Sequence, residues 1–142
     1  MRIAEIFKSI QGEGKYAGVD SVFVRSSGCN LACSWCDVPW TSWNKEHAEP
    51  WTSDQIIMQI NRQWDWTEHI VISGGEPMIQ FDTHKLVDKL IDRDRFVTIE
   101  TNGTIFSDKV IPSLFSISPK LNNSNPTSDM SEKLHVLHSN NN

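Results

Sequence analysis

The chain has 142 residues, and its 13 Lys and Arg residues against 18 Asp and Glu residues give a formal net charge of −5. This length suits a single domain with a real hydrophobic core. The net negative charge disfavours a nucleic-acid binder, because it offers no broad attraction to phosphate backbones. The first residues lack the pattern of a signal peptide, and no stretch has the length of a membrane-spanning apolar run. We therefore expect a cytoplasmic protein that binds neither nucleic acid nor membrane.

Five short apolar runs, rich in β-branched residues, predict buried strands. Each run ends at Gly, Pro or polar residues, and together they cover residues 2–7, 21–25, 69–73, 96–100 and 114–118. Two amphipathic stretches between the later runs predict helices, so the chain alternates strands with helices. That order predicts an α/β fold with a mostly parallel sheet.

The two predicted helices have recognisable starts. The first, residues 52–64, begins with Thr52 three residues before Gln55, which is the spacing of a capping box. The second stretch, residues 82–93, begins with a cap at Asp82 or Thr83. Its apolar residues Leu86, Val87, Leu90 and Ile91 share one face.

The chain changes character near its end. Residues 1–121 form the predicted domain, whereas residues 122–142 are rich in Asn and Ser and have few apolar residues. We expect this tail to be poorly ordered, with a short helix over residues 131–138 as its one regular element.

Polar or glycine-rich loops follow four of the predicted strands. The cysteines follow the second strand, residues 74–77 (GGEP) the third, residues 101–103 the fourth, and residues 119–120 the fifth. Because ligands bind at the carboxyl ends of parallel strands, we expect these loops to share one functional face.

All three cysteines lie in one loop, at Cys29, Cys33 and Cys36. A structural zinc ion needs four ligands, so a histidine such as His47 would have to complete the set. Three buried free cysteines are a further reading, but such cysteines are usually scattered. A [4Fe-4S] cluster takes one thiolate at each iron, and three thiolates would leave one iron open to another ligand.

The spacing CxxxCxxC, with Trp35 before the last cysteine, resembles the signature of the radical S-adenosylmethionine superfamily. The resemblance implies a partial (β/α) barrel and a [4Fe-4S] cluster on the three cysteines. It also implies that S-adenosylmethionine binds the open iron and is cleaved to a 5′-deoxyadenosyl radical. No catalytic side chain is assigned, since the radical is generated at the cluster.

Three later motifs, GGEP, ETNG and SPK, resemble stretches of that superfamily that contact S-adenosylmethionine. Glycine lets a backbone approach a ligand closely, although Gly and Pro are also ordinary turn residues. Thr101 could equally serve as a cap. The cofactor-binding residues implied are Trp35, Cys36, Asp37, Gly74, Gly75, Glu76, Glu100, Thr101, Ser118, Pro119 and Lys120.

The segment before the cysteines carries a second resemblance. IQGEG (residues 10–14) follows the first strand and Arg25 ends the second, so we expect both at the same strand ends. Together they suit a small polar heterocycle with a carboxylate, since Arg binds carboxylates bidentately. The whole set of motifs resembles the 7-carboxy-7-deazaguanine synthase family. The substrate-binding residues implied are Ile10, Gln11, Gly12, Glu13, Arg25 and Ser73.

This resemblance implies a carbon–nitrogen lyase that converts 6-carboxy-5,6,7,8-tetrahydropterin to 7-carboxy-7-deazaguanine, with loss of ammonia, in queuosine-type deazapurine biosynthesis. It further implies Mg²⁺, a flavodoxin-like or ferredoxin-like electron donor and a homodimer.

Two features depart from the family. Val38 stands where the family places a hydroxyl ligand for Mg²⁺, so Thr41 or Ser42 would have to replace it. The family's last β/α units also have no counterpart here, so we expect an open sheet edge. Two alternatives therefore stay open: a glycyl-radical-enzyme activase, and a non-catalytic remnant that retains the cluster motif.

Overall fold

The computed structural model describes residues 1–43 and 48–124, which form one six-stranded sheet with two helices packed against one face. The elements in chain order are β1 (Arg2–Ile10), β2 (Asp20–Ser26), α1 (Pro39–Ser42), β3 (Glu49–Pro50), α2 (Ser53–Trp64), β4 (His69–Gly74), α3 (Thr83–Ile91), β5 (Phe96–Thr101) and β6 (Leu114–Ile117). Short 3₁₀ turns occur at Gly14–Tyr16, Pro77–Ile79 and Asn122–Ser124. All five predicted strands and both predicted helices are present.

The sheet order is β3-β1-β2-β4-β5-β6. Pairing is parallel from β2 through β6, which confirms the mostly parallel α/β sheet. β1 pairs antiparallel with β2, and β3 pairs antiparallel with β1. The connection between β1 and β2, residues 11–19, is too short for a crossover between parallel strands. The carboxyl end of β1 therefore lies beside the amino end of β2, away from the loops that follow the parallel strands.

The two long helices cover the apolar face of the sheet. Buried residues of α2 and α3 pack with Val22, Val24, Ile70, Ile72, Val97 and Ile99 in one cluster. Because successive strand residues point to opposite faces, Arg25, Ser73 and Glu100 belong to the other face. This alternation leaves a polar row on the side of the sheet opposite α2 and α3.

Both helices start at the predicted caps, but only the first start has its capping hydrogen bonds. Thr52 Oγ1 accepts a 3.2 Å hydrogen bond from Gln55 N, and Gln55 Oε1 accepts one of 2.8 Å from Thr52 N, which completes the predicted capping box. Asp82 stands at the start of α3, but its side chain caps nothing. Its carboxylate accepts a 2.7 Å hydrogen bond from Lys85 instead, and this bond lowers the pKa of Asp82.

The predicted apolar face of α3 is buried at Leu86, Val87 and Leu90, whereas Ile91 is 39% exposed at the helix end. Within the described ranges β6 pairs with β5 alone, so its outer edge is open as expected. Residues 122–124, assigned to the tail from the sequence, turn back onto the cysteine loop, and Ser124 is buried. The predicted helix at 131–138 lies outside the described residues.

In the described part of the chain, no helix combines the length and the hydropathy that a membrane crossing requires.

Candidate active site

A cavity of about 660 Å³ opens on the sheet face opposite α2 and α3. It gathers residues from the loops after β2, β4, β5 and β6 and from the first hairpin. The predicted site residues that line it are Ile10, Gln11, Gly12, Glu13, Arg25, Cys29, Cys33, Trp35, Cys36, Asp37, Ser73, Gly74, Gly75, Glu100, Thr101, Ser118 and Lys120. Glu76 and Pro119 are not in its wall. The structure thus brings most of the predicted residues together, while their individual roles stay predictions.

A row of polar residues crosses four neighbouring strands on the cavity face. Arg25 of β2 pairs with Ser73 of β4, and Glu100 of β5 pairs with Ser116 of β6. Ser73 Oγ donates a 2.6 Å hydrogen bond to Glu100 Oε2, which joins the two pairs. Parallel register therefore brings together side chains that are far apart in sequence.

Gln11 reaches this row from the opposite end of the sheet. We expected its loop at the same strand ends as Arg25, and that expectation is wrong because β1 runs antiparallel to β2. The hairpin folds over the cavity face instead, and Gln11 Nε2 donates a 2.8 Å hydrogen bond to Glu100 Oε1. Gln11 Oε1 accepts from Glu13 N at 3.0 Å, so the amide is held at both ends and is only 4% exposed.

All three cysteines are free thiols in the wall of the cavity. Burial raises the pKa of the Cys29 thiol, the Leu31 N–H opposes this rise through a 3.4 Å hydrogen bond, and the negative charge of Glu76 adds to it. Cys36 Sγ lies 3.6 Å from Ser42 Oγ. A bound metal would reverse the preference for the thiol, because a coordinating thiol is deprotonated.

The three cysteines line one cavity without converging on a single point. Across residues 1–43 and 48–124, no group of three His, Cys, Asp or Glu side chains converges on one point as a zinc ion requires. A [4Fe-4S] cluster takes each thiolate at a different iron, so its ligands need not converge. Three thiols facing one cavity fit such a cluster. His47, which the zinc reading would use, lies outside the described residues.

His69 is buried at the start of β4 and binds neighbouring strands rather than the cavity. Its Nδ1 lies 2.8 Å from Ser21 Oγ, and its Nε2 lies 2.8 Å from Thr98 Oγ1. Ser21 donates its own hydrogen to Val19 O, so Nδ1 donates to Ser21 and the neutral ring accepts from Thr98 at Nε2. Burial lowers the pKa of His69, and the charge of Glu100 opposes that shift. Both ring nitrogens are occupied, which excludes a metal-ligand role in this conformation.

Glu76 is turned inward, beneath the cavity, and is fully buried. Its carboxylate accepts three hydrogen bonds, from Thr101 Oγ1 at 2.7 Å, Asn102 N at 2.8 Å and Met78 N at 2.9 Å. Burial raises the pKa of Glu76, and these hydrogen bonds oppose the rise. Glu76 therefore ties the loop after β4 to the loop after β5. Thr101 also accepts from Gly103 N at 3.1 Å, which is the capping role left open for it.

A second polar network was not found from the sequence. Asn102 Nδ2 donates to Asn30 Oδ1 at 3.1 Å, and Asn30 Nδ2 donates to Thr104 Oγ1 at 2.8 Å. Thr104 closes the ring by donating to Asn102 Oδ1 at 2.6 Å. This ring joins the residue after Cys29 to the loop after β5. No spacing in the sequence predicts it, because Asn30 is more than 70 positions away from both Asn102 and Thr104.

Gly74 and Gly75 are required by the packing of two loops. A Cβ at Gly74, whose φ is +123°, would lie 2.1 Å from Ser26 O, and one at Gly75 would lie 2.2 Å from Gly28 O. The close approach that glycine permits is therefore to the backbone at the end of β2 and the start of the cysteine loop. This finding explains both glycines without a ligand.

The residues after β6 reach the cysteine loop from the side. Lys120 Nζ donates to Ser118 Oγ at 2.8 Å and lies 5.6 Å from the centre of the Trp35 ring. Trp35 Nε1 donates to Asn123 O at 3.1 Å. These contacts place a cationic side chain and an aromatic ring beside the cysteines.

The two hydroxyls suggested as replacements at Val38 differ in position. Thr41 is fully buried and its Oγ1 donates to Val38 O at 3.0 Å, so it is turned away from the cavity. Ser42 lines the cavity, as does Asp37. Val38 supplies no side-chain oxygen, so Ser42 and Asp37 are the oxygen donors of this loop that face the cavity.

The sequence-family model of the radical SAM superfamily matches residues 23–121, which is more than half of the chain. A 7-carboxy-7-deazaguanine synthase of Halobacterium salinarum is 47% identical over 131 residues, and one of Rhodopirellula baltica is 39% identical over 136 residues. These alignments cover 92% and 96% of this chain but 50% and 51% of the relatives. The chain therefore spans about half the length of these curated relatives.

Solved structures agree with the sequence matches. QueE from Escherichia coli superimposes with a TM-score of 0.78 at 31% identity, covering 93% of this chain and 66% of that one. The structure of TYW1 with a lysine-pyruvate adduct, at 15% identity and a TM-score of 0.57, shows a shared fold alone. The activase alternative is not favoured, because the curated relatives carry the synthase name. The chain belongs to the radical SAM superfamily, and its similarity within that superfamily is to the 7-carboxy-7-deazaguanine synthases.

Proposed function

We propose that this chain takes part in the conversion of 6-carboxy-5,6,7,8-tetrahydropterin to 7-carboxy-7-deazaguanine by radical chemistry. The observation that supports this most directly is the hydrogen-bonded group of Gln11, Glu100 and Ser73, beside Arg25, in the cavity that also holds the three cysteines. The names of the relatives point to the same reaction. Because the chain spans about half of their length, the activity of the whole protein is part of this proposal.

Cys29, Cys33 and Cys36 would hold a [4Fe-4S] cluster, as membership of the superfamily implies. When bound with S-adenosylmethionine, that group supplies the electron and the radical that start the reaction. The residues of this chain shape its surroundings: the Leu31 N–H already donates to the Cys29 sulfur, and the half-buried Asn30–Asn102–Thr104 ring holds the start of the cysteine loop.

S-adenosylmethionine would lie against the loops nearest the cysteines. The cavity residues proposed to contact it are Trp35, Cys36, Asp37, Gly74, Gly75, Ser118 and Lys120. Glu76 and Thr101 would act on it indirectly, because the Glu76 side chain is buried in hydrogen bonds that hold two of these loops together. Pro119, which is not in the cavity wall, would affect S-adenosylmethionine only by shaping the backbone between Ser118 and Lys120.

The pterin would lie on the polar row of the sheet, between the first hairpin and β5. Ile10 to Glu13, Arg25 and Ser73 are the residues proposed to contact it. Glu100, assigned from the sequence to the cofactor, is better placed with this group because Gln11 and Ser73 both donate to it. A guanidinium near two neutral donors and a carboxylate suits a heterocycle that carries both amide-like groups and a carboxylate.

Mg²⁺ would bind weakly here. Hard cations prefer oxygen ligands, and Val38 offers none. Asp37 and Ser42 carry the side-chain oxygens of this loop that face the cavity.

We further propose a cytoplasmic homodimer that receives electrons from a flavodoxin-like or ferredoxin-like donor.

Anaerobic reconstitution with iron and sulfide tests the cluster. We expect about four irons per chain and a broad brown absorbance. Cys29→Ala should lose both, while Ala32→Ser, an exposed change between two of the cysteines, should keep them. Stoichiometric zinc with no iron would contradict the proposal.

The substrate assignment needs a second measurement. The reconstituted chain, with dithionite, S-adenosylmethionine and 6-carboxy-5,6,7,8-tetrahydropterin, should form 7-carboxy-7-deazaguanine. Formation of 5′-deoxyadenosine without that product would refute the substrate and leave the radical chemistry standing. An intact cluster that forms neither would favour the non-catalytic remnant.

A further inference from the structure

Arg25 sits in the cavity wall with few polar partners. Its side chain is 22% exposed, and its Nε lies 3.2 Å from Glu5 Oε1. The two groups are not aligned for a hydrogen bond, and Nε is buried without another partner. The hydrogen bonds of the described residues include none from the Arg25 guanidinium. Charge attraction to Glu5 alone would leave this flexible side chain free to rotate.

Two aromatic rings contact the guanidinium. Arg25 Cζ lies 5.2 Å from the centre of the Phe7 ring and 5.7 Å from the centre of the Trp40 ring. Both distances fall within the range of cation–π attraction, which is stronger for Trp than for Phe. Phe7 is itself stacked on Phe23, with the two ring centres 5.1 Å apart.

Trp40 approaches Arg25 from the cysteine side. It belongs to α1, whose next residue, Thr41, accepts hydrogen bonds at its carbonyl from Gly28 N at 2.8 Å and Ser27 Oγ at 3.0 Å. Ser27 and Gly28 directly follow β2, the strand that carries Arg25. The turn that presents Trp40 is thus tied to the strand that presents Arg25.

We propose that Trp40 is a positioning residue for Arg25, and through it a determinant of affinity for a ligand carboxylate. Its ring and that of Phe7 hold the guanidinium against the cavity wall, so that the Nη groups remain available to the ligand. A guanidinium held in place loses less freedom on binding than a mobile one. The identity of the ligand rests on the proposed function, whereas the holding of Arg25 rests on the contacts alone.

A packing role for Trp40 predicts a different result. Trp40 is 40% exposed, so its ring could simply cover the surface of the cysteine loop. In that case its loss would weaken the binding of every ligand to a similar degree. A positioning role predicts that the loss depends on the carboxylate.

The position of Arg25 can be measured without ligand. In the arginine side-chain NMR spectrum, Arg25→Lys identifies the Arg25 Nε–Hε signal among those of five arginines. We expect the ¹⁵N relaxation of this signal to report a restrained side chain in wild type, a more mobile one in Trp40→Leu, and a largely restrained one in Trp40→Phe. Trp66→Leu, at a tryptophan whose ring contacts Lys8 rather than Arg25, is the matched control and should leave the relaxation unchanged. Equal mobility of Arg25 in wild type and Trp40→Leu would overturn the proposal.

Binding then tests the consequence, with 6-carboxy-5,6,7,8-tetrahydropterin and 5,6,7,8-tetrahydropterin as anaerobic calorimetric probes. Trp40→Leu should lower the affinity for the carboxylated probe roughly five- to tenfold. Its affinity for the probe without the carboxylate should fall less than about twofold. Equal weakening of both would contradict the positioning role. If the wild type binds neither probe, the proposed function fails, while the NMR experiment still decides whether Trp40 holds Arg25.

Discussion

Gln11 Nε2 donates a hydrogen bond of 2.8 Å to Glu100 Oε1, which joins the first hairpin to the carboxyl end of β5. Since Ser73 donates to the other oxygen of Glu100, this carboxylate is held from both sides. This amide therefore ties the hairpin to the sheet across the cavity.

Gln11→Glu should therefore open the hairpin. The change places a second carboxylate against Glu100, where two like charges raise one pKa and destabilise the fold. We expect a loss of about 1–3 kcal/mol in the free energy of unfolding at pH 7, measured with urea, and a partial recovery near pH 5. Gln63→Glu, the same change on the exposed face of α2, should have little effect. Equal losses in the two variants would contradict this role of Gln11.

Glu76→Gln should destabilise the loops after β4 and β5. Oε1 accepts from Met78 N and Oε2 from Asn102 N, so either orientation of the amide would face its NH₂ group towards a backbone N–H. We expect a loss of about 1–3 kcal/mol in the free energy of unfolding. Glu68→Gln, at an exposed position, is the control. A stable Glu76→Gln variant would mean that the carboxylate is protonated in the native state.

Stability should fall in mild acid because of His69. Burial lowers its pKa in the folded state, so the unfolded chain binds the proton more readily. The stabilisation is fully present above the pKa of histidine in the unfolded chain, about 6.5, and is lost as the pH falls towards the lower pKa of His69 in the folded chain. Urea unfolding from pH 7.5 to 5 should show a steeper decline in wild type than in His69→Gln. His84→Gln is the control, because it removes a histidine from α3 instead. If stability falls equally steeply with pH in wild type and His69→Gln, the acid sensitivity does not come from His69.

Gly75→Ala should separate the cysteine loop from the loop after β4. The added Cβ would lie 2.2 Å from Gly28 O, so one backbone must move. We expect a loss of about 1–3 kcal/mol in stability and fewer than four irons per chain after reconstitution. Gly12→Ala, where the added Cβ has nothing within 4 Å, is the control for both measurements. Full iron content in Gly75→Ala would show that the cysteine loop tolerates the shift.

Much of the fold follows from local pattern. The strands at 69–73 and 96–100 and the capping box at Thr52 and Gln55 are confirmed, because short apolar runs and cap spacing act over a few residues. The expected grouping of loops at one face also holds for the parallel strands. The start of α3 at Asp82 is also confirmed, although its carboxylate accepts from Lys85 and makes no capping hydrogen bond.

The chemical groups that this chain offers can be recognised from its residues alone: three thiols in one loop, an arginine at a strand end, and glycines at the end of β4. Which of these groups meet depends on the fold. It brought Gln11 to Glu100 by folding an antiparallel hairpin over the sheet, turned Glu76 inward, and pressed Gly75 against Gly28. The physical reason is that periodicity specifies which face of an element is apolar, whereas contacts between distant residues depend on strand direction and on how closely two loops pack.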